Sequence, residues 1–390
     1  MVEPFAIRPP LAMRSFYFFS YGALGALFPF LPLLLASRGL SPSAIAWVMV
    51  VVPLTNIVIP PLWGSAADAL RARVPLLRAA SVGSALGVVL LLPSWDLVGS
   101  IAVVAVFSVF RAPLSSLADA AAVDALGGRN ASFSHIRLWG SIGFAAFAAC
   151  LGWLDASAHP RLLLLTASGA YLLAAALTLT LRSPPLLLHR GLTAEVVTVL
   201  RRAHVLLFLL GNAVYYAGHA AYDSFFSLHA RRLGFADRFV GTAWAVGVGA
   251  EIGVLFIAPR LLRGFRSSAL LAVCAFVAVL RWLGLSEAVS APAILGLQSL
   301  HGITFGLWYV AMVNFIQTRA PDHLRTSLQS VALSATGLGT VAGYLGAGYL
   351  FDALGSQSLF RMAAVSAVGA VLCYAGAYAA VLWYQQHAHS

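Results

Sequence analysis

Apolar runs alternate with short polar connections along the whole chain, and each run is long enough to cross a membrane as a helix. A transmembrane helix needs about 20 predominantly apolar residues, because the hydrocarbon core of a bilayer is about 30 Å thick. The pattern predicts an all-α membrane protein with twelve transmembrane helices. Their approximate bounds are 13–36, 44–67, 75–93, 97–122, 134–154, 160–181, 204–229, 239–259, 267–286, 292–317, 326–350 and 358–384.

The composition and the placement of charge agree with this pattern. The 390 residues are 61% hydrophobic and only 9% charged, whereas soluble domains are about 25% charged. Of the 24 basic residues, all arginine, 15 lie on the side of the N-terminus, six on the opposite side and three within spans: Arg111, Arg137 and Arg281. Because cytoplasmic loops carry the excess of basic residues, we expect both termini in the cytoplasm. The net charge of +11 then reflects topology and predicts no nucleic-acid partner.

Two sequence matches indicate that the chain consists of two similar halves. Gly39 and Gly234 each follow a predicted span and are 195 residues apart, and Asp155 and Asp352 are separated by 197 residues. Transporter folds are commonly built from such repeats, with the substrate site at their interface. We expect an N-terminal six-helix half, a cytoplasmic linker and a C-terminal six-helix half, at 1–181, 182–203 and 204–390. Within the linker, 192–200 fits either a short surface helix or a basic connector.

Charged side chains inside the apolar runs are the main functional signal. Asp119 lies nine residues before Gly128 and Arg137 nine residues after it. If Gly127-Gly128 is a turn, both side chains lie ~13 Å from it on neighbouring antiparallel helices. Opposite charges at one depth can pair, which lowers the cost of placing either in a membrane.

A second hairpin repeats this arrangement around Ala291. Arg281 lies ten residues before it and His301 ten residues after it, so both side chains are predicted ~15 Å from the turn. Glu251, eight residues before Pro259, is also well inside a span and could balance Arg281. Such charges either only fix helix packing or mark a path for a polar solute or proton, and two symmetric hairpins favour the path.

The segment from Arg137 to Phe144 resembles the fifth-helix motif of the lactose permease and phenylpropionate permease branch of the major facilitator superfamily. The 18-residue gap from Asp119 to Arg137 and the 20-residue gap from Arg281 to His301 also match that branch. The resemblance covers essentially the whole chain. It implies the twelve-helix fold of this superfamily and secondary transport.

The resemblance also implies roles for residues of the first half. Asp119 and Arg137 correspond to a pair that contacts substrate, and Phe144 occupies the place of a ring that stacks on it. Two further candidates come from the residues themselves. Arg111, two turns before Asp119, is either a third cation of the site or a partner of Asp119. Tyr21 shares a helix face with Tyr17 at i,i+4 spacing.

In the second half, the resemblance places Arg281 and His301 in a proton-coupling network and Glu251 about one turn from a coupling glutamate. One departure matters. The family's proton-carrying carboxylate follows the histidine by three residues, and Thr304 stands there. A hydroxyl cannot carry the proton in the same way. Glu251, His301 or Asp119 would have to carry it, or coupling is absent.

A conformational latch is expected between the second and third spans. Gly64, Asp68, Arg71 and Arg73 resemble the superfamily's cytoplasmic loop motif, in which an acid near a helix end bonds backbone amides and arginines. The counterpart in the second half, Pro259–Arg263, lacks the acid.

These observations predict a secondary transporter in the inner (cytoplasmic) membrane of a bacterial-type cell, working without a cofactor or metal. We expect a monomer that takes up a small organic solute with protons by alternating access. An aromatic carboxylate is the first candidate solute, and a sugar or nucleoside the other. A drug or metabolite efflux pump and a non-transporting assembly or sensor protein are the alternatives. The chain lacks hydrolase, zinc-protease and phosphate-loop motifs, so no enzyme is predicted.

Overall fold

The computed structural model describes residues 9–125, 130–181, 194–321 and 324–387, and this part of the chain is helical without strands. Ten helical segments within it are long and apolar enough to cross a membrane. The first nine helices are α1 Pro9–Leu27, α2 Leu31–Ser37, α3 Pro42–Met49, α4 Val51–Leu70, α5 Arg73–Val89, α6 Leu97–Arg111, α7 Leu114–Ala125, α8 Asn130–Trp153 and α9 Pro160–Leu177. The others are α10 Ala194–Leu200, α11 Ala203–Arg232, α12 Asp237–Gly264, α13 Ser267–Glu287, α14 Ala291–Ser299, α15 Trp308–Arg319 and α16 Arg325–His387.

Local sequence explains where several helices begin. Ser41 caps α3 by accepting a hydrogen bond from the backbone N–H of Ala44 at 3.2 Å, and Asp96 caps α6 through Gly99 at 2.8 Å. Each side chain satisfies an N–H group that has no partner within the helix. Pro160 begins α9, where its missing N–H is not needed.

One long helix is interrupted, and the linker is described only in part. Gly355, with φ +82°, interrupts the 63 residues of α16. The described part of the linker begins with the seven-residue helix α10. The rest of the linker and the Gly127-Gly128 turn lie outside the described residues.

The chain divides into two compact units. The first comprises Met1–Leu188 and Ala230–Val248, and the second His189–His229 and Gly249–Ser390. The end of α11 and the beginning of α12 therefore belong to the first unit.

Close helix crossings recur at matching positions within the two units. In the first unit, α1 and α8 approach so closely that a Cβ on Gly143 would overlap the Phe18 carbonyl oxygen. In the second, a Cβ on Gly339 of α16 would overlap the Ala213 carbonyl oxygen of α11. The two glycines are 196 residues apart and their partners 195. Gly39 and Gly234, also 195 apart, have φ values of +89° and +88°.

Gly143→Ala is expected to destabilise the protein, because the added methyl group overlaps backbone that belongs to another helix. Overpacking of this kind costs about 1–3 kcal/mol. Gly169→Ala in α9 is the matched control, since its Cβ would meet no atom within 4 Å. Thermal unfolding in detergent should show a lower midpoint for Gly143→Ala alone. Equal midpoints for the two variants would contradict the close crossing.

Candidate functional site

Asp119 and Arg137 belong to one polar cluster of the first unit. The Tyr17 hydroxyl of α1 donates a hydrogen bond to Asp119 Oδ1 of α7. Arg137 of α8 lies close enough to act electrostatically on both groups. Tyr17 is fully buried, whereas Asp119 and Arg137 are half-buried. The carboxylate therefore interacts with both a neutral donor and a cation.

Tyr21 extends this cluster along α1. Its ring lies 6.0 Å from that of Tyr17, with an angle of 26° between the planes. Gly140 of α8 provides the space, because a Cβ there would lie 3.1 Å from the Tyr21 ring. Tyr17 makes the direct contact with Asp119, and the only sequence signal for it is its i,i+4 spacing to Tyr21.

Arg111 forms its described hydrogen bond with another residue of this unit. Its Nη2 donates to Asn56 Oδ1, and this bond joins the end of α6 to the first half of α4. Arg111 also acts electrostatically on the buried Tyr171 of α9. Besides Arg137, the first unit thus holds the Arg111 guanidinium, whose hydrogen-bond partner is the Asn56 amide.

Phe144 lies in a group of aromatic rings. Its ring centroid is 5.9 Å from that of Trp244, which in turn lies 5.6 Å from Phe28 in an edge-to-face arrangement. Trp244 is only 4% exposed. Because Trp244 follows Phe144 by 100 residues, the sequence pattern did not indicate this partner.

Arg281 is fully buried at the centre of a polar cluster in the second unit. It donates hydrogen bonds to Gln298 Oε1 at 2.6 Å and Thr304 Oγ1 at 2.8 Å, and its Nη1 lies 3.2 Å from His301 Nδ1. Arginine has no acceptor, so His301 accepts through Nδ1. The guanidinium also lies 4.3 Å from the centre of the Tyr222 ring, a cation–π contact. The two polar residues of the second predicted hairpin, Arg281 and His301, are thus in direct contact.

Thr304 lies in a π-helical segment, Gly302–Leu307, between α14 and α15. The Tyr215 hydroxyl donates to its backbone carbonyl, while its side chain accepts from Arg281. A Cβ on Gly302 would lie 2.5 Å from the Ala250 carbonyl oxygen, so α12 crosses closely here. Short π-helical segments occur frequently at functional sites, and here one presents Thr304 to Arg281.

A histidine and an acid of α11 join the Arg281 cluster. His219 is 1% exposed, its Nε2 lies 3.9 Å from Asp223 Oδ1, and neither ring nitrogen has a hydrogen-bond partner among the described residues. Asp223 and Arg281 act electrostatically on each other. The i,i+4 spacing of His219 and Asp223 could have indicated the pair, but not its proximity to Arg281.

Glu251 lies beside the π-helical segment. A Cβ on Gly306 would come within 3.0 Å of Glu251 Cγ, so α12 and this segment are in contact through the glutamate side chain. Glu251 also acts electrostatically on Tyr216, whose ring lies 5.3 Å from that of His219. Glu251 thus adjoins the Arg281 cluster on the side of α12.

The latch residues lie where α4 ends and α5 begins. Arg71 adopts φ +50°, and the backbone N–H of Ala72 bonds to the Ala67 carbonyl at 3.1 Å, which closes the helix end. Gly64 faces open space and Arg73 begins α5. The Asp68 side chain lies outside the described part of the structure.

Comparison with known proteins assigns the chain to a family. The sequence profile described as "MFS_1 like family" matches residues 11–362. A maltose permease of Geobacillus stearothermophilus is 31% identical over 354 residues, which cover 86% of this chain and 89% of that protein. The probable 3-phenylpropionic acid transporter of Escherichia coli (strain K12) is 26% identical over 267 residues, covering 67% of this chain and 69% of that protein.

A solved structure supports the fold independently. The crystal structure of the nucleoside transporter NupG superimposes with a TM-score of 0.84 over 95% of this chain and 99% of that one. At 15% identity, this likeness concerns the fold alone. The family match, the relatives and the apolar helices agree on a multi-pass membrane transporter and not an enzyme. The chain belongs to the MFS_1 like family of major facilitator transporters.

Proposed function

We propose that this transporter takes up a polyhydroxylated solute, with a disaccharide as the first candidate, together with protons. The observation that carries the proposal is the contact of Tyr17 with Asp119 beside Arg137. A carboxylate accepts hydrogen bonds and a guanidinium donates them, and solute hydroxyls do both. The relationship to a maltose permease supports a sugar.

The proposed architecture has twelve transmembrane helices in a bacterial inner membrane, with both termini in the cytoplasm. The interruption of α16 at Gly355 supports counting this long helix as two spans. We count the 17-residue helix α5 as a further, shorter span. Halves at 1–181 and 204–390, joined by 182–203, agree with the repeated crossings at Gly143 and Gly339.

Proton coupling is proposed to use Glu251, Arg281 and His301, with Asp223 as an additional acid. A buried cation needs compensation, and removing its counter-charge is strongly unfavourable. Protonation of a nearby acid removes negative charge near Arg281. It therefore changes which conformation of the transporter is favoured. Thr304 bonds to Arg281, but its hydroxyl does not ionise at neutral pH and so cannot serve as the proton carrier. Glu251 is our first choice for the carrier because it contacts the π-helical segment that holds Thr304.

The cycle is proposed to follow alternating access. The acid is protonated from outside, the solute binds at Asp119 and Arg137, and both are released inside after the conformational change. Gly64, Asp68, Arg71 and Arg73 would act as the latch. The sharp helix end at Arg71 supports this role, because it holds the latch arginines at a fixed turn.

An aromatic carboxylate is the second candidate solute. Arg111 and Arg137 supply two guanidinium groups in the first unit, and the Phe28, Trp244 and Phe144 rings supply an apolar surface. Arginine forks bind carboxylates in a bidentate manner. We rank this candidate second because Asp119 would repel a carboxylate that approached Arg137.

Counterflow in proteoliposomes distinguishes these candidates. Vesicles preloaded with maltose, a nucleoside or phenylpropionate are diluted into the labelled compound, and protein-free vesicles are the control. We expect exchange of maltose, because its hydroxyls match the Tyr17, Asp119 and Arg137 groups. Exchange of phenylpropionate alone would favour the second candidate. Extrusion of ethidium without any exchange would indicate efflux, and no flux for any compound would favour an assembly or sensor role.

A further inference from the structure

A polar cavity lies at one end of α13 and shares no lining residue with the Arg281 cluster. Its volume is about 200 Å³, many times the ~10–15 Å³ that a cavity needs to hold one water molecule. It is lined by residues of the α12–α13 connection and of the last turns of α15, including Arg266, Ser267, Asn314 and Arg319. None of the described residues that line it is acidic.

Two arginines give this cavity a positive potential. Arg266 immediately precedes α13 and Arg319 ends α15, and the two guanidinium groups act electrostatically on each other. Arg319 forms no hydrogen bond or ion pair with the described residues. Like charges held together repel, so an anion between them would lower the energy of the arrangement.

Hydrogen-bond donors also converge on the cavity. Ser268, 2% exposed, lines it, and its Oγ has no partner among the described residues. Ser267 Oγ accepts from Asn314 Nδ2 at 2.7 Å, which leaves its own hydroxyl proton available for a ligand. Both serines begin α13, where the first backbone N–H groups have no partner within the helix. Buried unpaired donors at a helix N-terminus suit an oxyanion.

The position of this cavity is related to the latch by the repeat of the chain. Adding 195, the spacing of Gly39 and Gly234, converts latch positions 64, 68, 71 and 73 into 259, 263, 266 and 268. Arg266 and Ser268 thus correspond to Arg71 and Arg73. The latch acid Asp68 corresponds to Arg263, so this segment of the second half lacks its own negative charge.

We infer that the cavity binds a phosphate group. The phosphate supplies the negative charge that Asp68 carries in the first half and that the corresponding Arg263 does not. Arg319 and Arg266 contact its oxygens as forks, and the Ser267 and Ser268 hydroxyls donate to it. The group comes either from a free phosphate in solution or from the headgroup of an anionic lipid. Its binding stabilises the ends of α13 and α15 against each other.

Thermal unfolding of the full chain tests both sources. In detergent, inorganic phosphate is titrated at constant ionic strength against chloride, and in nanodiscs phosphatidylglycerol is compared with phosphatidylcholine. We expect an upward shift of the midpoint with at least one probe. Arg319→Gln should weaken the apparent phosphate affinity about tenfold or more, since it removes charge-assisted hydrogen bonds to the phosphate. A shift only in phosphatidylglycerol identifies the lipid as the source.

Matched variants serve as controls for this test. Arg361→Gln removes an exposed arginine of the same unit and should respond to the probe as the wild type does. Arg319→Lys keeps the charge without the fork and should bind with intermediate affinity, whereas Ser268→Ala should lose part of the shift. No shift with either probe, or equal shifts in wild type and Arg319→Gln, overturns the inference.

Discussion

Arg137→Ala is expected to abolish solute binding and uptake while leaving the protein folded. Arg137 acts electrostatically on Asp119 and Tyr17, so its loss leaves the carboxylate with only a neutral donor. It also removes the guanidinium that we propose contacts the solute. Two charge-assisted hydrogen bonds together contribute about 3 kcal/mol or more, which corresponds to a loss of affinity of about 100-fold or more. Equilibrium binding and counterflow of the solute measure this loss.

The controls separate a binding effect from a folding effect. Arg161→Ala removes an exposed arginine of the first unit and should leave counterflow unchanged. Arg137→Lys keeps the charge without the planar fork and should retain only part of the affinity. Size-exclusion profiles and thermal midpoints in detergent show whether each variant is folded. Normal uptake by folded Arg137→Ala would eliminate the proposed solute site.

Glu251→Gln is expected to prevent accumulation of solute against its gradient while counterflow continues. Accumulation requires the proton to bind and leave in each cycle, and glutamine cannot exchange a proton. Counterflow requires only that the loaded transporter changes its state, and glutamine resembles the protonated acid. Uptake driven by an imposed pH gradient should therefore fall to the level of equilibration. The two assays on the same vesicles measure both outcomes.

Two other acids make this prediction specific. Glu287→Gln removes an exposed acid of the same unit, paired with Arg361 at the surface, and should accumulate solute normally. Asp223→Asn removes the acid that acts on Arg281. If Asp223→Asn loses accumulation and Glu251→Gln keeps it, the carrier is Asp223 and our first choice is wrong. If the wild type exchanges solute but ignores the pH gradient, the proposed coupling itself fails.

Apolar runs allowed the membrane class to be predicted from the sequence, because every backbone polar group within a bilayer must be satisfied by helical hydrogen bonds. The resemblance to the major facilitator superfamily, carried by the spacing of Asp119, Arg137, Arg281 and His301, is confirmed by the family match. The division into halves and the roles of the site residues stay predictions. The variants described above test the roles of the site residues.

The sequence pattern could not predict which helices contact each other. Tyr17 and Asp119 are 102 residues apart, and a helical period indicates which face a residue occupies but not which helix faces it. The same holds for Trp244 beside Phe144 and for Asp223 near Arg281. The π-helical segment that presents Thr304 to Arg281 also has no distinct sequence pattern, and only the structure shows that its Gly302 and Gly306 pack against α12.

The sequence by itself determined that the chain is a helical membrane protein and which charged groups lie within its spans, because hydropathy and spacing act locally along a helix. Only the tertiary structure decided the partners of those groups. It joins Asp119 to Tyr17 and Arg281 to Gln298, His301 and Thr304. The physical reason is that a buried polar group must find a partner, and the available partners depend on which helices the crossings at glycines such as Gly143 and Gly339 bring together.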